Sequence, residues 1–292
     1  MPNTIPPSEL IINPDGSVFH LHVTPHQIAD KVIIVGDPAR VETVASFFET
    51  IECRIVNREF RTITGSYQGK RISVVSSGIG CDNIDIVINE LDALVNIDFE
   101  TRQIKSELKN IDIVRIGTCG GLQENCPVGT YLVSETSIGF DGLLNFYANR
   151  DKVCDQALET TFVQHMGWST KICQPHPYVI HADPSLTNQI ALNDMLRGIT
   201  ISCGGFYGPQ GRVLRLPLAD ADQNEKIRSF NHHGAKITNF EMESSAIAGL
   251  AALLGHRATT VCMVIANRFS HQANTNYHSS IENLIKTVLD RI

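Results

Sequence analysis

The chain has no long hydrophobic run and no excess of basic residues. No apolar stretch reaches the length of about 20 residues that a membrane-spanning helix needs. Lysine and arginine number 24 against 31 aspartates and glutamates, so the formal net charge is -7. This balance argues against a nucleic-acid backbone or an anionic membrane as the main partner. We therefore expect the important cations to act locally, on small anions.

Paired cysteines and metal-binding histidine patterns are also missing. The eight cysteines form no C-x-x-C pair and no zinc spacing, and we expect free thiols at Cys53, Cys81, Cys119, Cys126, Cys154, Cys173, Cys203 and Cys262. No metal-ligand spacing joins His26, His165, His176, His181, His232, His233, His256, His271 and His278, so no metal is expected. Reduced thiols are typical of the cytosol. Residues 1–15 lack the basic start and long apolar core of a signal peptide, and we expect a cytoplasmic protein.

Short runs of β-branched residues alternate with helical patterns along the chain. This alternation predicts an α/β fold, a single domain whose mixed, mostly parallel central sheet is flanked by helices. The predicted strands cover 31–35, 71–76, 111–116, 130–136 and 259–266, and the predicted helices cover 38–48, 83–95 and 244–254. The polar stretch 98–110 is expected to form an inserted surface helix. No repeat or proline-rich linker divides the chain, so we expect one domain over 1–292 with an N-terminal arm over 1–14.

One arginine stands inside a strongly apolar run. Arg115 lies between Val114 and Ile116, and the apolar segment 113–116 contains no acid. A buried charge is costly unless it is paired. The guanidinium fork suits phosphate, and the hydroxyl of Thr118 together with a predicted glycine turn at 120–121 can approach the same ligand. One interpretation is an anion site, and the other is a strand arginine paired by a distant carboxylate.

Further glycine turns and acids need an explanation. Arg40 follows a Gly-Asp-Pro turn after the first strand, where an arginine suits a free phosphate. Residues 78–83 begin like the dinucleotide fingerprint G-x-G-x-x-G but have Asn83 in place of the third glycine, which is a weak match. Glu241 and Glu243 precede an apolar helix, and they either serve a site or simply favour the positive end of that helix.

Ordered blocks over nearly the whole chain resemble the nucleoside phosphorylases of the uridine phosphorylase type. The blocks are Val18-Phe19-His20-Leu21, Gly36-Asp37-Pro38-x-Arg40-Val41-Glu42, Arg58-Glu59-Phe60, Ser77-Gly78-Ile79-Gly80, Arg115-Ile116-Gly117-Thr118-x-Gly120, Phe206-Tyr207-Gly208-Pro209-Gln210-Gly211-Arg212, Glu241-Met242-Glu243-Ser244 and Asn267-Arg268. The 115–120 and 241–244 blocks mark the wider phosphorylase and nucleosidase superfamily, and the 206–212 block is more specific for uridine. The resemblance implies a nucleoside phosphorylase domain and a pentosyltransferase that reversibly converts uridine and phosphate into uracil and ribose 1-phosphate.

The resemblance also assigns roles to residues. Phosphate is expected at Gly36, Arg40, Arg58, Arg115 and Thr118, and the nucleoside is expected at His20, Phe206, Gln210, Arg212, Glu241, Met242 and Glu243. Arg58 and His20 are expected to reach in from a neighbouring subunit of a homo-oligomer. The leaving uracil gains negative charge, so the resemblance makes Arg212 the leaving-group residue, with Gln210 reading the base and Arg268 in support.

Some positions depart from the family pattern or leave alternatives open. Purine-specific relatives use an aspartate as general acid where this chain has Asn267, and an amide supplies no proton. Glu59 is a candidate ligand for a monovalent cation such as K⁺, although Asn83 stands where that site has a serine. Gly211 resembles the animal enzymes, and selectivity among uridine, deoxyuridine and thymidine stays open, as does a dimer or hexamer. Residues 269–280 are a candidate lid.

Two other functions remain as alternatives at this stage. One is a purine or broad-specificity nucleoside phosphorylase, and the other is a nucleoside-binding protein on the same fold without catalysis. The arginines at 40, 58 and 115 favour phosphate over the water used by nucleosidases. No organic cofactor is expected, since inorganic phosphate is the co-substrate.

Overall fold

The computed structural model describes residues 4–168 and 176–292. The strands are β1 Lys31–Val35, β2 Thr50–Asn57, β3 Phe60–Tyr67, β4 Lys70–Ser76, β5 Ile97–Asp98, β6 Gln103–Ile104, β7 Asp112–Gly121, β8 Tyr131–Gly139, β9 Tyr178–His181, β10 Leu196–Ser202, β11 Asn231–His232, β12 Ala235–Glu241, β13 Arg257–Asn267 and β14 Gln272–Ala273. The helices are α1 Pro38–Ala45, α2 Cys81–Asn96, α3 Gln156–Met166, α4 Pro184–Ala191, α5 Gln223–Ser229, α6 Ser244–Leu254 and α7 His278–Arg291.

The main sheet is mixed, with a parallel centre. Its order is β11-β12-β10-β8-β13-β7-β1-β4-β3-β2, with β9 beside β8 and β14 beside β13. β1 lies parallel to β4 and β7, while β2, β3 and β4 form an antiparallel meander. β7 also pairs with β12 through Gly120 and Gly121. The strands β7, β13, β8, β10 and β12 therefore close into a ring, and the predicted α/β class with a mixed sheet is confirmed.

The sheet is covered on both faces, as alternation along β1 shows. Val32 and Ile34 pack with α2 and α6, whereas Ile33 and Val35 pack with α1, α4 and α7. A third apolar cluster, which includes Phe162 and Phe230, lies between α3, α5 and the β10–β12 side of the sheet. A strand buried on both faces reads as a continuous apolar run, which is why β1 was visible in the sequence.

The predicted turn at 120–121 is wrong, because β7 continues through both glycines. Gly121 pairs with Asn239 of β12 and with Asn267 of β13. A Cβ atom on Gly121 would lie 2.8 Å from the carbonyl oxygen of Cys126. The glycine therefore permits close packing within the ring and does not reverse the chain.

The inserted helix predicted over 98–110 is also wrong. Residues 97–104 form the β5–β6 hairpin. The Asp98 carboxylate accepts hydrogen bonds from the backbone N–H groups of Glu100 and Thr101 at 2.9 and 2.8 Å, an arrangement that competes with a helix. Arg102 has a positive φ of 57° and donates from its guanidinium to the carbonyl oxygen of Ile5 at 2.9 Å. The described part of the predicted N-terminal arm thus lies against this hairpin.

Two further features bear on the sequence predictions. In the described ranges, no helix combines the length and the apolarity needed to cross a bilayer. The seven cysteines of the described part carry free thiols, and Cys173 lies outside the described residues.

Candidate active site

A pocket of about 700 Å³ opens where the carboxyl ends of β1, β4 and β7 meet the ends of β12 and β13. Ligand sites of open α/β sheets commonly lie at such strand ends. Most of the residues predicted from the sequence line it, namely Gly36, Arg40, Glu59, Arg115, Thr118, Phe206, Gln210, Arg212, Glu241, Met242 and Glu243. The structure therefore brings together residues that are separated by more than half of the chain.

One end of the pocket is built by the turn from β1 into α1. Pro38 occupies the first turn of α1, and the Asp37 carboxylate caps the helix by accepting a hydrogen bond from the N–H of Ala39 at 2.8 Å. Arg40 makes one long hydrogen bond, 3.5 Å, to the carbonyl oxygen of Ile116, and forms no ion pair with the described residues. Burial lowers the pKa of Arg40, and repulsion from Arg115 adds to this. Arg40 is thus the cation at this end that lacks a carboxylate.

Arg115 is buried and paired by two carboxylates. Its Nη1 lies 3.2 Å from Glu241 Oε2, and its Nη2 bonds to Glu243 Oε2. Burial acts to lower the pKa of Arg115, but Glu243 and Glu241 outweigh it and the pKa is raised. The interpretation as a strand arginine paired by distant carboxylates is therefore correct. Arg115 nevertheless lines the pocket together with Thr118, and its role in anion binding stays a prediction.

The two acids have different surroundings. Glu241 accepts hydrogen bonds from the hydroxyl of Ser202 at 2.5 Å, the hydroxyl of Ser244 at 2.7 Å and the N–H of Glu243 at 2.9 Å. It holds the start of α6, as the helix-end interpretation predicts. Glu243 accepts from the N–H of Gly80 at 2.8 Å as well as from Arg115. Burial raises the pKa of Glu243. No motif had indicated Ser202, whose role follows only from the pairing of β10 with β12.

The opposite end of the pocket is built by the loop after β10. Gln210 ends a short 3₁₀ turn and is buried, and Gly211 follows with a φ of 68°. Arg212 Nη1 donates to Gln210 Oε1 and to the Phe206 carbonyl oxygen, each at 2.5 Å. The Arg212 guanidinium lies 3.6 Å from the centre of the Phe206 ring. These side chains form one cluster within the pocket, not a surface-loop pair.

A second arginine, Arg268, contacts that cluster. Arg268 does not line the pocket, but its Nη2 donates to the carbonyl oxygen of Gln210 at 3.1 Å. Burial lowers the pKa of Arg212 to about 10, and repulsion from Arg268 adds to this. Both remain cations at neutral pH. This end of the pocket can therefore donate hydrogen bonds to an anionic or carbonyl-bearing ring.

His20 and Arg58 lie outside the pocket lining, and contacts of Phe19 and Asn57 join the two segments that carry them. His20 Nδ1 is 2.7 Å from Glu90 Oε1. Its carbonyl oxygen accepts a hydrogen bond from the Asn57 side-chain amide at 2.8 Å. Arg58 lies 5.5 Å from the centre of the Phe19 ring. The two residues expected to serve a neighbouring subunit thus share one surface of this chain, and their role there stays a prediction.

Asn267 does not line the pocket. Its amide Nδ2 donates to the carbonyl oxygens of Gln123 and Cys126 at 2.9 and 2.7 Å, and its Oδ1 accepts from the N–H of Phe269 at 2.8 Å. The side chain fixes the loop after β13.

The candidate cation ligand Glu59 lines the pocket beside Asn83. Among residues 4–168 and 176–292, no group of three or more His, Cys, Asp or Glu side chains could hold a metal ion.

The chain is similar in sequence and in fold to known nucleoside phosphorylases. A uridine phosphorylase of Thermococcus kodakarensis is 29% identical over 258 residues, which cover 88% of this chain and 80% of that protein. A DeoD-type purine nucleoside phosphorylase of Bacillus velezensis is 24% identical over 278 residues, which cover 92% and 98%. A crystal structure of a Trypanosoma brucei nucleoside phosphorylase, reported to show uridine phosphorylase activity, has a TM-score of 0.86 and 29% identity, covering 97% of this chain and 98% of that one. The family model of the phosphorylase superfamily matches residues 30–291, and the chain belongs to that superfamily.

Proposed function

We propose that the protein is a uridine phosphorylase, which converts uridine and inorganic phosphate into uracil and ribose 1-phosphate. The observation that carries the proposal is the arrangement of the charged and hydrogen-bonding side chains along the pocket. Arg40, which has no carboxylate partner among the described residues, lies in the part of the lining built by the β1–α1 turn, and the Gln210–Arg212 cluster lies in the part built by the loop after β10. Glu243 and Met242 line the same pocket. The volume of about 700 Å³ is that of a small-molecule site.

The proposed chemistry divides the pocket into three parts. Phosphate is held by Arg40, Thr118 and the Gly36 backbone, with Arg115 as a further donor. A phosphate oxygen attacks C1′ of the ribose while the bond from C1′ to N1 of uracil breaks. The electron pair of that bond passes to the base, which leaves as an anion and takes a proton from solvent. Donors aimed at the base stabilise this developing charge more than the ground state.

Each end of the nucleoside has a matching partner. Arg212 donates to a uracil carbonyl oxygen, and the Gln210 amide both donates and accepts. In the free pocket these two side chains bond to each other, so the base replaces that bond. The Glu243 carboxylate accepts from a ribose hydroxyl, with Met242 packed on the sugar. The amide of Asn267 is fully occupied by backbone partners, which supports a base that needs no protonation from that position.

A spectrophotometric assay tests the proposal. Purified protein is incubated with uridine, thymidine or inosine, each with and without inorganic phosphate, and the ultraviolet absorbance of the base is followed. We expect loss of uridine only when phosphate is present. Loss without phosphate would identify a hydrolase, and loss of inosine alone would identify a purine enzyme. No turnover combined with uridine binding would identify a nucleoside-binding protein.

We also propose that active sites are shared between the subunits of a homo-oligomer. The support is that neither His20 nor Arg58 lines the pocket of its own chain, although the segments that carry them lie against each other. Mixing inactive Arg58→Ala and Arg212→Ala chains should restore activity, because a hybrid assembly contains pockets with both arginines intact. Subunit exchange is verified by native mass spectrometry. Absence of recovery in verified hybrids would show that each chain builds its own site.

Two remaining expectations are carried as proposals. We propose that no organic cofactor is used. We also propose that Glu59 is the carboxylate that binds K⁺ if activity depends on a monovalent cation. Replacing K⁺ by a large organic cation in the activity assay tests this dependence. We propose a cytoplasmic location, which fractionation of the source cells tests.

A further inference from the structure

A second cavity, of about 560 Å³, lies at the opposite end of β1 and β4 from the active site. Lys31 begins β1 and Arg71 lies near the start of β4, whereas Gly36 and Gly78, just after the ends of these strands, line the active site. Five residues of β1 at about 3.3 Å each put the two sites about 17 Å apart. The cavity is therefore a separate site. It is closed on one side by the 98–110 insertion, through Lys105 and Lys109.

The charge of this cavity is mainly positive. Its lining contains Lys31, Arg71, Lys105 and Lys109 against a single carboxylate, that of Asp30. Arg71 is already committed, because its guanidinium bonds to Glu52 and to the carbonyl oxygen of Ile28. The anion-binding capacity therefore rests on the three lysines.

Each of these lysines has only a weak or single partner. Lys31 Nζ is 3.9 Å from Asp112 Oδ2, but the Asp112 oxygens accept much closer bonds, 2.7 and 2.6 Å, from Arg257. Lys109 Nζ is 3.8 Å from Asp30 Oδ1, and Lys105 Nζ donates to the carbonyl oxygen of Val95 at 2.9 Å. An ammonium group has three donors. Donors are therefore available on all three side chains.

Apart from His26, the rest of the lining is apolar. Ile28, Leu94 and Val95 are buried side chains whose edges face the cavity, and Pro25 completes this wall. A ligand that fits has an anionic group at the lysines and a flat apolar part against the wall.

We propose that this basic cavity binds a phosphomonoester with an attached ring, of the size and chemistry of a nucleoside monophosphate. The phosphate contacts the ammonium groups of Lys31, Lys105 and Lys109, and the ring lies on Pro25, Ile28 and Leu94. Charge-assisted hydrogen bonds from several lysines to a dianion are strong and screened by salt. The 98–110 insertion supplies two of the three lysines, which gives this segment a function in ligand binding.

Isothermal titration of the full chain with adenosine monophosphate tests the proposal. Four proteins are compared, namely the wild type, a K105A/K109A variant, an R212A variant with an altered active site, and a K152A/K236A control that removes the same charge from exposed positions elsewhere. We expect the K105A/K109A variant to bind about tenfold more weakly, or not at all, because two charge-assisted contacts are lost. The other three proteins should bind alike, and the phosphorolysis rate of K105A/K109A should be unchanged.

The design separates the outcomes. Lys105 and Lys109 are exposed, and the backbone N–H of Lys109 still bonds to Asn96 Oδ1 after the substitution, so the variant is expected to melt at the wild-type temperature. Unaltered binding by K105A/K109A would overturn the proposal, as would loss of binding in R212A alone, since the nucleotide would then occupy only the active site. Inorganic phosphate that binds as tightly as the nucleotide would overturn the part assigned to the apolar wall.

Discussion

The contrast between Arg40 and Arg115 gives a strong test of the pocket electrostatics. Both arginines line the pocket, but Arg115 forms ion pairs with two buried carboxylates, while Arg40 has no carboxylate partner among the described residues. Replacing Arg115 with alanine leaves Glu241 and Glu243 buried together without a counter-ion. Breaking such a pair costs about 3–5 kcal/mol. Replacing Arg40 removes a partly desolvated cation and should change the stability little.

Thermal unfolding measures the difference. At about 2–3 °C per kcal/mol for a chain of this size, Arg115→Ala should melt about 6–15 °C below the wild type. Arg40→Ala should melt close to the wild type while the KM for phosphate rises. The two substitutions therefore separate a structural cation from a binding cation.

The loss of stability in Arg115→Ala should depend on pH. Burial already raises the pKa of Glu243 above its unfolded value, and loss of Arg115 raises it further. When the pKa of a carboxyl group is higher in the folded protein than in the unfolded chain, the free energy of unfolding is largest at a pH below the unfolded pKa. It falls as the pH rises through the folded pKa. The destabilisation of Arg115→Ala should therefore be smaller at pH 5 than at pH 8. An Arg115→Ala protein that melts like the wild type at pH 8 would refute this account of the pocket.

Three further predictions concern other parts of the pocket. Arg212→Ala should lower kcat for uridine phosphorolysis about 100- to 1,000-fold, because one donor to the developing anion is lost. The KM for phosphate should change little. A normal kcat would show that Arg212 does not stabilise the leaving group. Gly117→Ala should destabilise the fold by about 1–3 kcal/mol, since its Cβ would lie 2.2 Å from Arg115 Nη1. Gly208 has open space around it, so Gly208→Ala serves as the control in the same melting experiment. If residues 269–280 form a lid, uridine with phosphate should slow proteolysis of that segment, and an unchanged cleavage rate would contradict a lid.

Much of the site could be predicted from the sequence because its residues follow strand ends. Gly36 and Arg40 come after β1, and Thr118 lies on the carboxyl half of β7. Parallel strands bring their carboxyl ends to one edge, so the positions of these residues follow from strand order. The 206–212 block was assigned through the resemblance to the uridine phosphorylases, and its Gln210 and Arg212 are close in space as well as in sequence.

The partners of Arg115 could not be predicted by periodicity. Glu241 and Glu243 reach it only because β12 pairs with the glycine end of β7, a contact between segments more than 100 residues apart. The insertion was mispredicted for a local reason. The Asp98 side chain caps backbone N–H groups and Arg102 adopts a positive φ, and both features end a helix that composition alone allows.

The closed ring of five strands has a consequence for how this enzyme class can diversify. Arg115 and Thr118 on β7 and Glu241 on β12 belong to strands that hold the ring together. A change there should alter both folding and the proposed binding of phosphate. The loop around Phe206 lies outside the ring and is exposed in part, so its sequence can vary without loss of the five-stranded ring. New base preferences should therefore arise in that loop first, with the sugar and phosphate machinery left intact.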